Sequence, residues 1–176
     1  MKPFYGTILM VTALCCQALG QVQKPSVDCP THEEHQKQHS DEKQHVDEMN
    51  HRGKQGMGFD QASTTHHFRI LAGGGAIEVE ANSADDSVSR DQIRTHLKRI
   101  TIMFSEGDFA IPMFVHDQLP PGAQTMKQLK KAIKYNFEET GSGGRVRITT
   151  RNDEALRAIH AFLRFQIEEH HTSDKL

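Results

Sequence analysis

The sequence has few of the cysteine and aromatic residues that often stabilise small domains. Tryptophan is absent from the 176 residues, aromatic residues make up 6%, and there are three cysteines. Cys15 and Cys16 lie in the apolar N-terminal stretch, so the chain beyond it keeps only Cys29. One cysteine cannot form an intramolecular disulfide, which excludes a disulfide-stapled scaffold and leaves a hydrophobic core as the source of stability.

An excess of charge of one sign is also missing. Lys and Arg number 21 against 23 Asp and Glu, and the formal net charge is −2. A near-neutral chain lacks the basic surface that nucleic-acid binding requires, so we expect no nucleic-acid partner. At this length, a single domain of ordinary size is expected.

The N-terminus resembles an export signal. Lys2 supplies a positive charge, residues 7–14 are mostly apolar, and Ala18-Leu19-Gly20 has the small-x-small pattern of a signal-peptidase site. The apolar run is shorter than the roughly 20 residues that a membrane span needs. We therefore predict a signal peptide over residues 1–20, a periplasmic or secreted protein, and no membrane span after its removal.

Residues 21–57 are polar and rich in histidine and methionine. From residue 30 onward, the only apolar side chains of any size are Val46, Met49 and Met57. Such a stretch buries too little surface to offset the entropy of ordering it. The prediction is a disordered segment, or a solvated, fraying helix without a tertiary partner. Gly53, Gly56 and Gly58 are interpreted as a flexible joint, and the folded domain is placed at residues 58–176.

Two similar hairpin-plus-helix patterns fill this domain. Residues 65–72 and 76–81 alternate in polarity around a glycine turn, as do residues 135–139 and 145–150. Each hairpin precedes a helical stripe of apolar residues, the first formed by Ile93, Leu97, Ile100 and Phe104, the second by Leu156, Ile159, Leu163 and Ile167. Each unit is therefore predicted to be ββα.

The two units align as an internal repeat. Phe68 aligns with Phe137, and Ile77 with Val146, at one constant offset of 69 residues. The predicted class is α+β, with two ββα units joined into a four-stranded antiparallel sheet, two main helices on one face and a short connecting helix over residues 122–133. The apolar connection over residues 109–115 is expected to cover one end of the core or to supply an edge strand.

Several short sequence words occur together in this domain: MGFDQ at residues 57–61, TTHHF at 64–68, HDQ-x-PPG at 116–122 and FLRFQI at 162–167. In these words the chain resembles a group of small secreted bacterial proteins of unknown function. The resemblance implies export and the domain limits, and it implies no reaction.

Histidine is the residue type that points to chemistry, with 12 copies beside 7 methionines. Imidazole suits Cu(II), Ni(II) and Zn(II), and a thioether adds affinity for Cu(I). The segment before the domain offers several such ligands: His32, His35, His39, His45, Met49 and His51. His-rich tracts commonly bind metals, although the same composition also occurs in a plain solvated linker.

The domain holds weaker metal candidates at His66, His116 and His160. His66 is expected to face inward on its strand, where a satisfied core histidine is the simpler interpretation. His160 falls on the apolar face of the last helix, and an approach to His66 would form a core metal site. His116 beside Asp117 suits a ligand or a general base, although adjacent side chains rarely point the same way.

Motifs of nucleophilic catalysis are missing: there is no G-x-S-x-G, C-x-x-C, H-E-x-x-H or Walker loop. The leading hypothesis is an exported, non-enzymatic protein that captures or buffers a transition metal through its His/Met-rich tail, copper first and zinc or nickel as alternatives. One alternative is an interaction module for another envelope protein, without a metal role. The other is a metal-dependent hydrolase using His116 and Asp117.

Overall fold

The computed structural model describes residues 32–176, without the side chains of residues 32–36 and 38–40. The predicted signal peptide and residues 21–31 lie outside the described residues. Five helices and four strands follow along the chain: α1 (His32–Met57), β1 (Thr64–Leu71), β2 (Gly74–Ala81), α2 (Ser87–Ser105), α3 (Ala110–His116), α4 (Ala123–Gln128), β3 (Ile133–Glu139), β4 (Gly143–Thr150) and α5 (Asp153–Glu169).

The four strands form one antiparallel sheet in the order β1-β2-β4-β3, so the predicted α+β class and its two ββα units are confirmed. Side-chain caps begin both long helices of these units. Asp86 accepts a hydrogen bond from the Ser89 backbone N–H at 2.9 Å, and Asn152 accepts one from the Ala155 N–H at 2.9 Å. The helices thus start one short loop after each hairpin.

The pairing of the two central strands, β2 and β4, has the same symmetry as the sequence repeat. Ile77 pairs directly with Val146, its equivalent at the offset of 69 residues. Gly75 pairs with Ile148 and Val79 with Gly144, which exchanges equivalent positions across the same axis. The two units are therefore related by a pseudo-two-fold axis through the centre of the sheet.

Each helix packs mainly on the strands of the other unit: α2 lies on β3 and β4, and α5 lies on β1 and β2. Two equivalent glycines let the helices approach closely. A Cβ on Gly75 would lie 2.1 Å from Leu163 Cδ1, and one on Gly144 would lie 3.1 Å from Leu97 Cδ1. Because each unit buries its hairpin under its neighbour's helix, the two form a single core.

Residues 32–57, which precede the domain in the chain, have more tertiary structure than the sequence pattern predicts. Residues 32–57 form helix α1, and the helix has a tertiary partner, because Met49 is buried and Gly56 faces Val115 and Phe114 of α3. Gly53 is buried within the helix, and Gly58, with φ +83°, ends it. The structure therefore shows the helical alternative for residues 32–57, with packing on α3 that the sequence pattern did not predict. Two glycines assigned to a flexible joint form part of the packing face of α1.

The connection between the units also differs in detail. Residues 110–116 form α3 rather than an edge strand, and Phe109, Ile111 and Val115 are buried, so the expected cover of the core is present. The predicted connecting helix is α4, followed by a 3-10 turn at Lys130–Ala132. In residues 32–176, we find no helix with both the length and the apolar character of a membrane span.

Candidate metal centre

Four histidines from different parts of the chain meet at one end of the core. His66 lies on β1, His96 on α2, His116 at the end of α3 and His170 directly after α5. The His170 ring centroid is 5.3 Å from that of His66 and 5.1 Å from that of His116. His96 joins through Phe59, whose ring centroid is 5.5 Å from His96 and 5.8 Å from His66. We call these four residues the histidine cluster.

All four imidazoles line one interior cavity of about 50 Å³. Its remaining walls come from Met57, Gln166 and apolar residues of the sheet, α2 and α3. This volume holds an ion or a few water molecules, whereas sites for organic ligands usually measure roughly 300–1,000 Å³. The cavity is therefore of a size for a small inorganic ligand.

Burial keeps the imidazoles of the cluster neutral. It lowers the pKa of His66 to about 4 and that of His96 to about 3, and it lowers the pKa of His170 well below the ordinary value. Burial also lowers the pKa of His116, against the opposing effects of Gln166 and Glu169. A neutral imidazole has a free nitrogen lone pair, which is the form that binds metals.

Two imidazole nitrogens of the cluster are buried without a hydrogen-bond partner among the described residues, namely His66 Nε2 and His116 Nδ1. A buried polar atom left unpaired costs about 1–3 kcal/mol, so native proteins rarely retain one without a ligand, water or function to account for it. The histidine cluster retains two.

A second arrangement joins α1 to this end of the molecule through Glu169. The Oε2 atom of Glu169 lies 3.1 Å from His45 Nε2 on α1 and 3.5 Å from His116 Nδ1 on α3. His116 Nε2 lies 3.1 Å from Gln166 Oε1, and its Nδ1 faces Glu169. We call His45, Glu169 and His116 the junction.

An open groove of about 510 Å³ runs between α1 and the start of β1. Val46 and Met49 form its α1 side, and Glu169 lies on the opposite side. His66 and His170 line both this groove and the interior cavity. These two imidazoles therefore stand between the interior cavity and solvent.

The metal candidates of the tail fall in different surroundings. The side chains of His32, His35 and His39 lie outside the described residues. His45 is in the junction, Met49 is part of the hydrophobic core, and His51 Nε2 lies 3.0 Å from Gln55 Nε2 on the same helix. Of the described tail candidates, His45 has the placement of a ligand shared with the domain.

The domain candidates divide in the same way. His66 and His116 belong to the cluster, whereas His160 Nε2 lies 2.9 Å from Leu71 O and 3.1 Å from Gly74 O, at the β1–β2 turn. Leu71 is five residues from His66, or roughly 16 Å along the strand. The approach of His160 to His66 that would have formed a core metal site therefore does not occur.

The adjacent pair His116 and Asp117 does not act as a unit. Asp117 takes a left-handed conformation, φ 53°, that ends α3, and the recorded partners of His116 among the described side chains are Gln166 and Glu169. The carboxylate that pairs with His116 belongs to Glu169 on α5, 52 residues beyond Asp117 in the sequence.

Sequence reasoning missed His96, Glu169 and His170. A signal for two of them was present, because His96 follows Ile93 by three residues and His170 follows Leu163 by seven. Both positions thus continue the apolar stripes of α2 and α5. A histidine on such a stripe faces the core, and two stripes of adjoining helices can bring theirs together.

Among residues 32–176, no three or more His, Cys, Asp or Glu side chains are already arranged as a metal site. Comparisons with protein-family models, with curated proteins and with solved structures gave no match. The argument for function therefore rests on the chemistry of the cluster and the junction.

Proposed function

We propose that the protein is an exported, non-enzymatic binding protein for a transition-metal ion, copper first and zinc or nickel as alternatives, and that it holds the ion at the junction. The observation that carries this proposal is the position of Glu169 Oε2, 3.1 Å from His45 Nε2 and 3.5 Å from His116 Nδ1. A histidine of the tail and a histidine of the domain thus share one carboxylate.

These separations suit ligands of a common ion. Imidazole nitrogen and carboxylate oxygen bind such metals at about 2.0–2.2 Å, so neighbouring ligands of a tetrahedral ion lie roughly 3.3–3.5 Å apart. The two distances at Glu169 bracket that value. Binding would draw His45 toward His116, because in the metal-free protein the three side chains are not yet arranged as a complete site.

The surroundings favour a divalent ion at this place. Glu169 supplies a negative charge, and the contact of His116 Nε2 with Gln166 Oε1 at 3.1 Å orients the His116 ring with Nδ1 toward Glu169. The His116 side chain is 1% exposed, whereas that of His45 is 47% exposed. The junction thus combines a fixed, buried ligand with an accessible one through which the ion enters.

The proposal gives the His-rich tail a defined role. Helix α1 packs on the domain through Met49 and Gly56, and Arg52 Nε donates to the Val115 carbonyl at 2.9 Å, which brings His45 over Glu169. The tail histidines before residue 41 then serve as collecting ligands that deliver the ion to this site. Export follows from residues 1–20, and an N-terminus at Gln21 in the purified protein is the expected result of N-terminal sequencing.

The test is a Cu(II) titration by calorimetry of the protein from residue 21 onward. We expect Glu169→Gln and His45→Gln each to weaken binding at least tenfold, because each removes a ligand. His51→Gln is the matched control, since it removes an exposed imidazole from the same helix. Binding should also release protons, and it should weaken in acid as imidazole becomes protonated.

Two other results of this titration would contradict the assignment of the metal site to the junction. If replacement of His32, His35 and His39 by Gln abolishes binding while Glu169→Gln leaves it intact, the metal is held by the tail alone and the junction has no role. If no replacement affects binding of Cu(II), Zn(II) or Ni(II), the metal function is wrong.

One observation favours the interaction module instead. Met113, Phe114 and Leu119 are 46%, 46% and 51% exposed, and they lie close in sequence on and after α3. Replacement of all three by Ser would abolish binding to an envelope partner under this alternative. The same change leaves Cu(II) binding intact under the proposal above.

A further inference from the structure

The interior cavity of the histidine cluster presents ligands that differ from those of the junction. No Asp, Glu, Lys or Arg is among its lining residues, and its potential ligands are imidazoles and the thioether of Met57. A thioether and an unprotonated imidazole are both uncharged ligands. The cavity therefore offers nitrogen and sulfur without a compensating negative charge.

This chemistry discriminates between ions by charge. The cost of transferring an ion from water to an apolar interior grows with the square of its charge, so a divalent ion pays about four times the cost of a monovalent one. The cavity supplies no carboxylate to offset that cost. Thioether and imidazole together select soft Cu(I) over harder ions.

One ligand atom points to an occupant independently of the composition. His66 Nε2 is buried, has no hydrogen-bond partner among the described residues, and belongs to a residue that lines the cavity. His170 lies beside it with its ring at 15° to that of His66. Met57, the last residue of α1, also lines the cavity.

The cavity also has a route to solvent. His66 and His170 line the open groove beside α1 as well as the cavity, so an ion in the groove meets the same two imidazoles that face inward.

We infer that the interior cavity is a second metal site, separate from the junction, which takes one Cu(I) ion on His66, His170 and Met57. The inference does not depend on the junction, because the two sites share none of these ligands. It assigns the soft, monovalent ion to the interior and the divalent ion to the carboxylate-bearing surface site.

The test is an anaerobic Cu(I) titration of the protein from residue 21 onward, in competition with a chromophoric Cu(I) chelator. We expect His66→Leu and Met57→Leu each to weaken Cu(I) binding at least tenfold. Met113→Leu is the matched control for Met57→Leu, since it removes an exposed thioether. X-ray absorption of the Cu(I) complex should show nitrogen and sulfur neighbours, and the sulfur should be lost in Met57→Leu alone.

Folding of the variants is checked on the metal-free protein. His66→Leu removes a buried, unpartnered nitrogen, so its melting temperature should equal or exceed that of the parent protein. Met57→Leu conserves volume and provides a second variant that keeps the fold.

Glu169→Gln separates the two sites. It should weaken Cu(II) binding while Cu(I) binding stays unchanged. If His66→Leu and Met57→Leu bind Cu(I) as tightly as the parent protein, the interior site is wrong. If Glu169→Gln removes Cu(I) and Cu(II) together, there is one shared site and the inference is overturned.

Discussion

The two ends of the pseudo-symmetric core have the same architecture and opposite chemistry. His66 on β1 and Tyr135 on β3 are equivalent at the repeat offset of 69 residues, and each has a buried polar atom without a partner among the described residues. Around Tyr135 the core is aromatic, whereas around His66 it consists of imidazoles that surround a cavity. One end of the pseudo-symmetric core is thus packed with aromatic rings, and the other holds buried imidazoles around a cavity.

The aromatic end is filled by close ring contacts. The Phe104 ring centroid lies 4.6 Å from Phe109, 5.9 Å from Phe162 and 6.0 Å from Tyr135. Burial of such rings is strongly favourable, and edge-to-face pairs add to it. We therefore expect the aromatic end to contribute more packing stability than the histidine end, where buried imidazoles surround a cavity. Three changes, taken from the largest expected effect to the smallest, test that division.

The largest effect is expected at the aromatic end. Phe162 is 1% exposed and packs on both Phe104 and Phe109, so Phe162→Ala should lower the free energy of unfolding by about 3–5 kcal/mol, measured by urea denaturation. Ile102→Ala is the control and should cost less than about 0.5 kcal/mol, because Ile102 on α2 is 66% exposed. Similar losses in both variants would refute the assignment of stability to this end.

The second effect is a sensitivity to acid that belongs to the histidine end. The pKa of His66 is lowered to about 4 and that of His96 to about 3, both mainly by burial, whereas unfolded histidines titrate near 6.5. Between pH 6.5 and 4 the unfolded chain binds more protons, so the free energy of unfolding falls as the pH falls. Each histidine contributes roughly 1.4 kcal/mol per pH unit, or about 3 kcal/mol for both between pH 6 and 5.

Urea denaturation of the metal-free protein at pH 7, 6 and 5 measures this slope. The double variant His66→Leu, His96→Leu should lose the part of the slope that these two histidines contribute, while His116 and His170 retain theirs. Tyr135→Phe should retain it, because burial raises the pKa of Tyr135 and the phenol stays neutral throughout this range. An unchanged slope in the double variant would mean that other groups cause the acid sensitivity.

The smallest effect concerns the histidine outside both regions. His160 Nε2 donates to the β1–β2 turn, so His160→Leu should cost about 1 kcal/mol of unfolding free energy. Binding of Cu(I) and Cu(II) should stay as in the parent protein, as measured by the same titrations. A loss of metal binding in this variant would mean that His160 is a metal ligand. The metal sites would then not be confined to the histidine cluster and the junction.

Local patterns accounted for much of the fold. Alternation around the glycine turns located both hairpins, and the stripes ending at Phe104 and Ile167 located both long helices, because each pattern reports a face that must be buried. Helix α1 escaped this reasoning, since part of its packing face is Gly53 and Gly56. Glycine has no side chain to contribute to a hydrophobic pattern, although Gly56 lies against α3 and Gly53 against Gln61.

Local sequence patterns predicted less of the candidate site than of the fold. His66 and His116 were singled out for their residue type, but their partners Gln166, Glu169 and His170 lie at least 50 residues away from His116 in the sequence. Spacing along a chain predicts neighbours within one helix or strand, and it carries no information on which elements meet.

The sequence by itself determined the class of the fold, the repeat and the abundance of metal-ligating side chains, because composition and short periods are local properties. Only the tertiary structure decided which histidines come together. His45, His116 and Glu169 meet because α1, α3 and α5 pack at one end of the sheet, and His66 meets His170 because α5 crosses over the strands of the other unit. Those contacts follow from the burial of apolar faces. The packing of these faces fixes where the polar groups lie, and the polar groups do not themselves determine the packing.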